Sequence, residues 1–281
     1  MNDQKQKLFF FGVGNTALWV ANQAGDRFAM FGTTRKAEKV AELEKAGIEA
    51  ILLEQDISSD DADKLRAILS CAHVLISYPP DQASDRRFGE LVDGAKSLIY
   101  ISSTGVYGRR AGVVDETTPV DSEDESLQGR LAQERFWAER RAVVLRAPGL
   151  YCPTSGLHVR LAQGSYRLPG DGSNFTSRIH LKDLGRLILA AFKRPLPEGS
   201  TFLVGDLKPA CQMEVVTWLC ATMNLPMPES VPLSDAPKSL KTNRRVNPAK
   251  ILSELNFTLE FPTYKEGFTH CLEQIATPAM P

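Results

Sequence analysis

Cysteine is scarce in this chain and unpaired by spacing. Its five members, Cys71, Cys152, Cys211, Cys220 and Cys271, include no C-x-x-C pair, and an odd, scattered set argues against a disulfide framework. Histidine is scarcer still. His73, His158, His180 and His270 never fall at metal-ligand spacing with a cysteine or carboxylate, so no metal site is expected. An excess of either charge is missing too: the formal net charge is -1, which offers no field to nucleic acid or anionic lipid. No apolar run approaches the ~20 residues that span a bilayer. Residues 1–7 are polar and lack the apolar stretch and cleavage site of a secretory signal. Together these absences predict a soluble, cytoplasmic protein whose partner is a small molecule rather than nucleic acid or membrane, with the oligomeric state left open.

What is present is ordinary in amount and regular in order. Hydrophobic residues make up 43% and charged residues 24% of the 281, as in a soluble globule. A chain of this length can bury roughly three quarters of its unfolded surface without staples. From residue 8 to about 147, short apolar runs alternate with amphipathic stretches. The runs cover residues 8–11, 27–31, 48–53, 73–77, 97–102 and 142–145, and their lack of polar alternation suits strands buried on both faces. Between them lie helical stretches such as 36–46, closed by Gly47, and 60–70 after a Ser-Ser-Asp cap signal. This alternation predicts an α/β fold, a doubly wound parallel sheet of Rossmann type. After Arg146, proline and glycine recur, and helical patterns at 181–192, 213–223, 248–255 and 264–275 accompany a strand at 201–204. Residues 1–150 are thus expected to form the nucleotide-binding domain. Residues 151–281 are expected to form a smaller C-terminal substrate lobe interleaved with it.

The strongest motif is Gly12-Val13-Gly14-Asn15-Thr16-Ala17, a G-x-G-x-x-A between the first strand and the first helix. Gly12 permits the tight turn, Gly14 admits a pyrophosphate to the backbone, and Ala17 allows close helix–strand packing. The N–H groups of Asn15 and Thr16 open a helix whose dipole favours an anion. In NAD binders a carboxylate some 20 residues on meets the ribose hydroxyls. Here the second strand runs into Thr33-Thr34-Arg35-Lys36, with no acid before Glu38. Hydroxyls and a guanidinium suit a 2′-phosphate, which points to NADP(H) over NAD(H).

Further along, Ile101-Ser102-Ser103-Thr104-Gly105-Val106-Tyr107-Gly108 resembles a signature of the extended short-chain dehydrogenases/reductases, the epimerase/dehydratase group. Asp115-Glu116 with Pro119, Leu145-Arg146-Ala147-Pro148-Gly149-Leu150-Tyr151, and Arg178-Ile179-His180-Leu181-Lys182-Asp183 resemble further elements of that family in the same order. Residues 243–247 and 262–264 look like its atypical members. The resemblance implies that Ser103 is the catalytic hydroxyl and that Pro148-Gly149 meets the nicotinamide. It also implies that Glu116 and Arg178 face the substrate, Arg178 through a diphosphate. Asp56 ends the third strand and either contacts adenine, as in the family, or caps the helix that follows.

The chemistry departs from the family's Y-x-x-x-K, in which a tyrosine moves protons and a lysine lowers its pKa from ~10 while holding the ribose. Aligned on Glu134, Ser126 stands for the tyrosine and Arg130 for the lysine. Arginine keeps the charge and donors that hold a ribose; serine has neither the reach nor the acidity of a phenol. Ser77 and Tyr78, at the end of the fourth strand, face the cofactor side by topology, and Tyr78 is a candidate replacement phenol, as are Tyr107 and Tyr151. Two readings compete. One is an NADP(H)-dependent oxidoreductase, epimerase or dehydratase with a rebuilt acid/base group. The other is a non-catalytic NADP(H)-binding redox sensor.

Overall fold

The computed structural model describes residues 5–53 and 57–276, so Asp56 lies outside the described residues. Seven strands form the central sheet: β1 (Gln6–Phe11), β2 (Phe28–Thr34), β3 (Ile48–Leu52), β4 (His73–Ile76), β5 (Ser97–Ser103), β6 (Val143–Ala147) and β7 (Thr201–Leu203). Their order is β7-β6-β5-β4-β1-β2-β3. β1 pairs in parallel with both β2 and β4, β2 with β3, and β4 with β5. Helices cover both sides of the sheet, which makes the fold Rossmann-like. The order reverses between β1 and β4, and such a switch point opens a crevice at the carboxyl ends of the strands.

Local sequence sets these elements. Leu8, Phe9, Phe10 and Phe11 are fully buried, as strands covered on both faces demand. Helix α1 spans Asn15–Ala24. The 36–46 stretch is a 3-10 turn (Ala37–Lys39) followed by α2 (Val40–Lys45), and Gly47 closes it at φ 73°. Helix α3 (Ser59–Leu69) is capped by Ser58, whose hydroxyl accepts from the Asp61 N–H. Helix α4 (Gln82–Gly89) is capped by Asp81 in the same way. Helix α5 spans Gln128–Glu139, so it carries Arg130 and Glu134 but begins after Ser126. Beyond it come α6 (Leu157–Ala162), α7 (Leu181–Lys193), α8 (Gln212–Met223), α9 (Ala249–Leu255) and α10 (Tyr264–Ala276).

Contacts divide the chain into two units. The first comprises Met1–Ser102, Glu125–Arg146 and Leu184–Thr201, and the second comprises Ser103–Asp124, Ala147–Asp183 and Phe202–Pro281. In the first unit a core of Phe9, Phe11, Val74, Ile76, Phe88, Leu98, Tyr100 and Trp137 packs between sheet and helices. In the second, Tyr151, Tyr166, Leu168, Val215, Leu219, Tyr264 and Phe268 form a separate core. Short strand pairs tie that unit together. Arg178–His180 runs parallel to Gly149–Tyr151, and Arg244–Val246 parallel to Gly112–Val114. No helix among the described residues is long and apolar enough to cross a membrane. No group of three or more His, Cys, Asp or Glu among them is arranged to hold a metal ion.

Candidate functional site

In the first unit the glycine turn is clamped from both sides. Gly12 takes φ 82°, and a Cβ there would lie 2.8 Å from the Tyr78 Cβ, so only glycine fits. Its N–H donates to Thr33 Oγ1 at 3.3 Å, and its carbonyl accepts from Ser77 Oγ at 2.7 Å. Thr33 and Ser77, both expected at the cofactor, therefore spend their hydroxyls on fixing the turn. Gly14 differs from Gly12. It is exposed, and a Cβ built on it meets nothing within 4 Å. It caps α1 and, as glycine, brings no side chain of its own to the first N–H groups of the helix, those of Asn15 and Thr16 among them. Ala17 is buried beneath them. This arrangement fits a pyrophosphate.

At the end of β2, Thr34 Oγ1 accepts from the Lys36 N–H. The exposed Arg35 guanidinium lies 3.9 Å from the Asp81 carboxylate. An exposed pair at that distance is worth little and leaves the guanidinium available to an incoming phosphate.

Tyr78 is held differently from the sequence expectation. Its hydroxyl donates to Asp85 Oδ1 at 2.7 Å. Burial first, and then the hydrogen bond to Asp85, push the phenol pKa far above its ordinary value. The Tyr78 hydroxyl is thereby engaged with Asp85 rather than left open. Asp85 is itself buried and also accepts from Gln133 Nε2 at 2.8 Å and Trp137 Nε1 at 3.0 Å. On α5, Arg130 Nη1 donates to the Tyr100 hydroxyl at 3.2 Å. Glu134 grips Arg146 with both oxygens (3.0 and 2.8 Å) and accepts from Ser102. Ser126 is exposed in the 3-10 turn Glu125–Leu127 that precedes the helix.

The second unit holds the remaining candidates. Ser103 caps the turn Thr104–Tyr107, its Oγ accepting from the Gly105 N–H at 3.0 Å. Tyr107 donates its hydroxyl to the Asp115 carbonyl. Glu116 Oε1 accepts from the Leu203 N–H at 3.0 Å. The Pro148-Gly149 and Arg178 motifs, well separated in sequence, are brought side by side with Arg178 opposite Gly149.

Arg178 is only 7% exposed, donates to Thr176 Oγ1 at 2.7 Å, and lies 5.5 Å from the centre of the Tyr264 ring. The guanidinium is thus enclosed within its own unit, between Thr176 and the Tyr264 ring. His180 Nδ1 accepts from the Lys182 N–H, which leaves the ring proton on Nε2 beside Cys271 Sγ. Burial, then the charges of His270 and Lys182, hold its pKa down at about 3, so it is a neutral structural group. The Tyr151 ring packs against His180 and Phe268, and burial again raises its pKa.

Sequence reading missed Asp85, Tyr100, Gln133 and Asp206. One signal was present for part of the set. Arg130, Gln133, Glu134 and Trp137 fall at i, i+3, i+4 and i+7 of one helix, so polar side chains occupy what the Trp marks as a buried stripe.

No protein-family model matches the chain. The Escherichia coli protein YeeZ is 28% identical over 208 residues, covering 68% of this chain and 74% of that protein. A conserved protein of unknown function from Silicibacter pomeroyi superposes with a TM-score of 0.83 at 26% identity, over 96% of this chain and 99% of that one. The UDP-glucuronic acid 4-epimerase of Bacillus cereus, solved in complex with NAD, superposes with a TM-score of 0.72 at 16% identity, over 97% of this chain and 100% of that one. The order of the strands, the glycine turn and these likenesses agree: the chain has the fold of the extended short-chain dehydrogenases/reductases.

Proposed function

We propose that this protein binds a nicotinamide dinucleotide at the carboxyl ends of β1, β2 and β4, NADP(H) in preference to NAD(H). In this reading it serves an oxidoreductase, epimerase or dehydratase reaction on a small molecule. The observation that carries the reading is the clamped Gly12 turn, with Gly14 open to solvent at an uncapped helix N-terminus. The dinucleotide would supply the redox chemistry. The protein's part is to hold the pyrophosphate on the α1 N–H groups, the 2′-phosphate on Thr34 and Arg35, and the nicotinamide ribose on Arg130. Ser126 moves no proton in this scheme. The NAD complex of the Bacillus cereus epimerase supports the dinucleotide class, whereas the preference for NADP(H) rests on Arg35 and on the lack of a carboxylate after β2.

Two variants test it. Gly14→Val should abolish dinucleotide binding while urea unfolding stays cooperative, because the new side chain has room in the free protein and collides only with the ligand. Undiminished binding in a folded Gly14→Val protein would place the nucleotide elsewhere. For the second, calorimetry should give a tighter Kd for NADPH than for NADH. Arg35→Ala should cost NADPH about 1.5–3 kcal/mol, as expected for a lost charge-assisted pair, and leave NADH unchanged. Equal affinities for the two would remove the preference.

A second reading, the non-catalytic redox sensor, has its own observation. Tyr78 is committed to Asp85 and Tyr107 to a backbone carbonyl, while burial raises the pKa of Tyr151. That leaves Ser103, itself engaged as a cap, as the hydroxyl nominated by the family. Single-turnover assays with bound NADPH against a panel of nucleotide sugars and small ketones separate the readings, since a sensor binds the cofactor and consumes none of it.

A further inference from the structure

We infer that Tyr100 is a positioning residue that aims the Arg130 guanidinium at the nicotinamide half of the dinucleotide. This rests on the binding reading above. Tyr100 lies on β5, fully buried, with its hydroxyl between two groups of α5. The hydroxyl has one proton and can accept as well as donate. It donates to Gln133 Oε1 at 2.7 Å and accepts from Arg130 Nη1 at 3.2 Å.

The direction of every bond in this chain is forced from its far end. Asp85 can only accept, so the Gln133 amide must turn its nitrogen toward Asp85 Oδ1 and its oxygen toward Tyr100. The Tyr100 proton then has one destination, and the hydroxyl oxygen is left facing Arg130. A cation at one end and a carboxylate at the other polarise the two neutral groups between them, which strengthens each bond. Arg130 is thereby fixed through one nitrogen, and its other N–H groups remain for a ligand. The same carboxylate takes the Tyr78 hydroxyl, and Tyr78 is the residue against which Gly12 packs. One buried polar chain therefore reaches both the glycine turn and Arg130.

Tyr100 itself is no acid/base substitute for the missing family tyrosine. Its proton is committed to Gln133, and burial pushes its pKa up to about 12 even with Arg130 pulling the other way.

The test compares two ligands on the full-length protein: NADPH, and 2′-phosphoadenosine 5′-diphosphate, which lacks the nicotinamide ribose. Tyr100→Phe should weaken NADPH roughly tenfold or more, the equivalent of one hydrogen bond to a charged group, and leave the adenosine fragment unchanged. In an Arg130→Gln background the same change should have no further effect on NADPH. Equal weakening of both ligands would mean that Tyr100 acts through the fold at large and would overturn the inference, as would unaltered NADPH binding. Arg130→Gln alone changes only a partly exposed helix residue, and if it leaves NADPH affinity intact the inference fails whatever Tyr100→Phe does. Failure of the unaltered protein to bind either ligand overturns the dinucleotide reading itself. Binding of both with no response to Tyr100 or Arg130 overturns only the present inference.

Discussion

Replacing Asp85 by alanine is expected to destabilise the first unit by about 3 kcal/mol or more, because three donors lose their acceptor and a buried donor left unsatisfied costs about 1–3 kcal/mol. Three donors converge on a single oxygen of this buried carboxylate: the Tyr78 hydroxyl, Gln133 Nε2 and the Trp137 indole N–H. Trp137 is fully buried, so its N–H finds no water once the acceptor is gone, and an unsatisfied buried donor costs about 1–3 kcal/mol. Asp85→Asn is the informative partner. It keeps an oxygen in place but gives up the charge that makes such bonds roughly twice as strong, so its loss should be about half that of the alanine variant. Urea unfolding followed by tryptophan fluorescence measures both. An alanine variant within about 1 kcal/mol of the parent would mean that the carboxylate is not the hub its geometry suggests.

The second large effect is a dependence of stability on pH with two opposing parts. His73 and His180 are buried as neutral rings, with pKa values held down by burial to about 4 and about 3 from the ordinary 6.5. When the chain unfolds below pH 6.5, each ring takes up a proton it could not hold while folded. Stability from these two groups is therefore full above pH 6.5 and drains away as pH falls toward 4, by about 1.4 kcal/mol per pH unit for each. His180 shows why: protonating Nδ1 would place a proton against the Lys182 N–H that now donates to it.

Asp206 runs the other way. It is 1% exposed, its Oδ1 accepts from the Lys208 N–H, and its Oδ2 has no hydrogen-bond partner. Burial raises its pKa from 3.8 to about 7, with the attraction of Arg178 only partly opposing. Its stabilising contribution is complete below pH 3.8 and is lost as pH rises through 7. Between pH 4 and 6.5, Asp206 releases a proton on unfolding and so opposes the uptake by the two histidines. Asp206→Asn removes the opposing proton and should steepen the loss of stability toward acid by about 1.4 kcal/mol per pH unit. Unfolding free energies at pH 4.5, 5.5 and 6.5 for both proteins decide it, and an unchanged slope would show that Asp206 titrates normally.

Much of the first unit can be read from residues 8–102 because a doubly covered parallel strand has few ways to be written. The apolar run at 8–11 and the Gly-x-Gly after it leave little but strand, turn and helix, and Gly47 and Ser58 mark helix ends by their own backbone and side-chain chemistry. The second unit is less legible. Its pairings at Gly149–Tyr151 and Gly112–Val114 are three residues long, too short for any alternation to register. The candidate site divides in the same way. Gly12 and Gly14 are legible because the backbone itself requires them, whereas the roles of Tyr78, Ser77 and Thr33 depend on which neighbours take their hydroxyls. Arg178 is the sharpest case. A charged residue in a motif reads as a ligand contact, and its enclosure depends on Thr176, Tyr264 and Asp206, whose proximity no spacing announces.

The threading of the chain carries a consequence for how this protein is made. The first unit is assembled from three separated stretches, the last being Leu184–Thr201, and β6 receives a backbone partner from it, Val144 N–H to the Ser200 carbonyl. On the ribosome, where roughly 5–20 residues are added per second, β6 must wait several seconds for that stretch to emerge. In the interval its outer edge is a row of unpaired donors and acceptors, the kind of surface that recruits a strand from another nascent chain. Early release of the chain anywhere between β6 and Thr201 would make that exposure permanent, so premature termination in this window should yield aggregate rather than a free first unit.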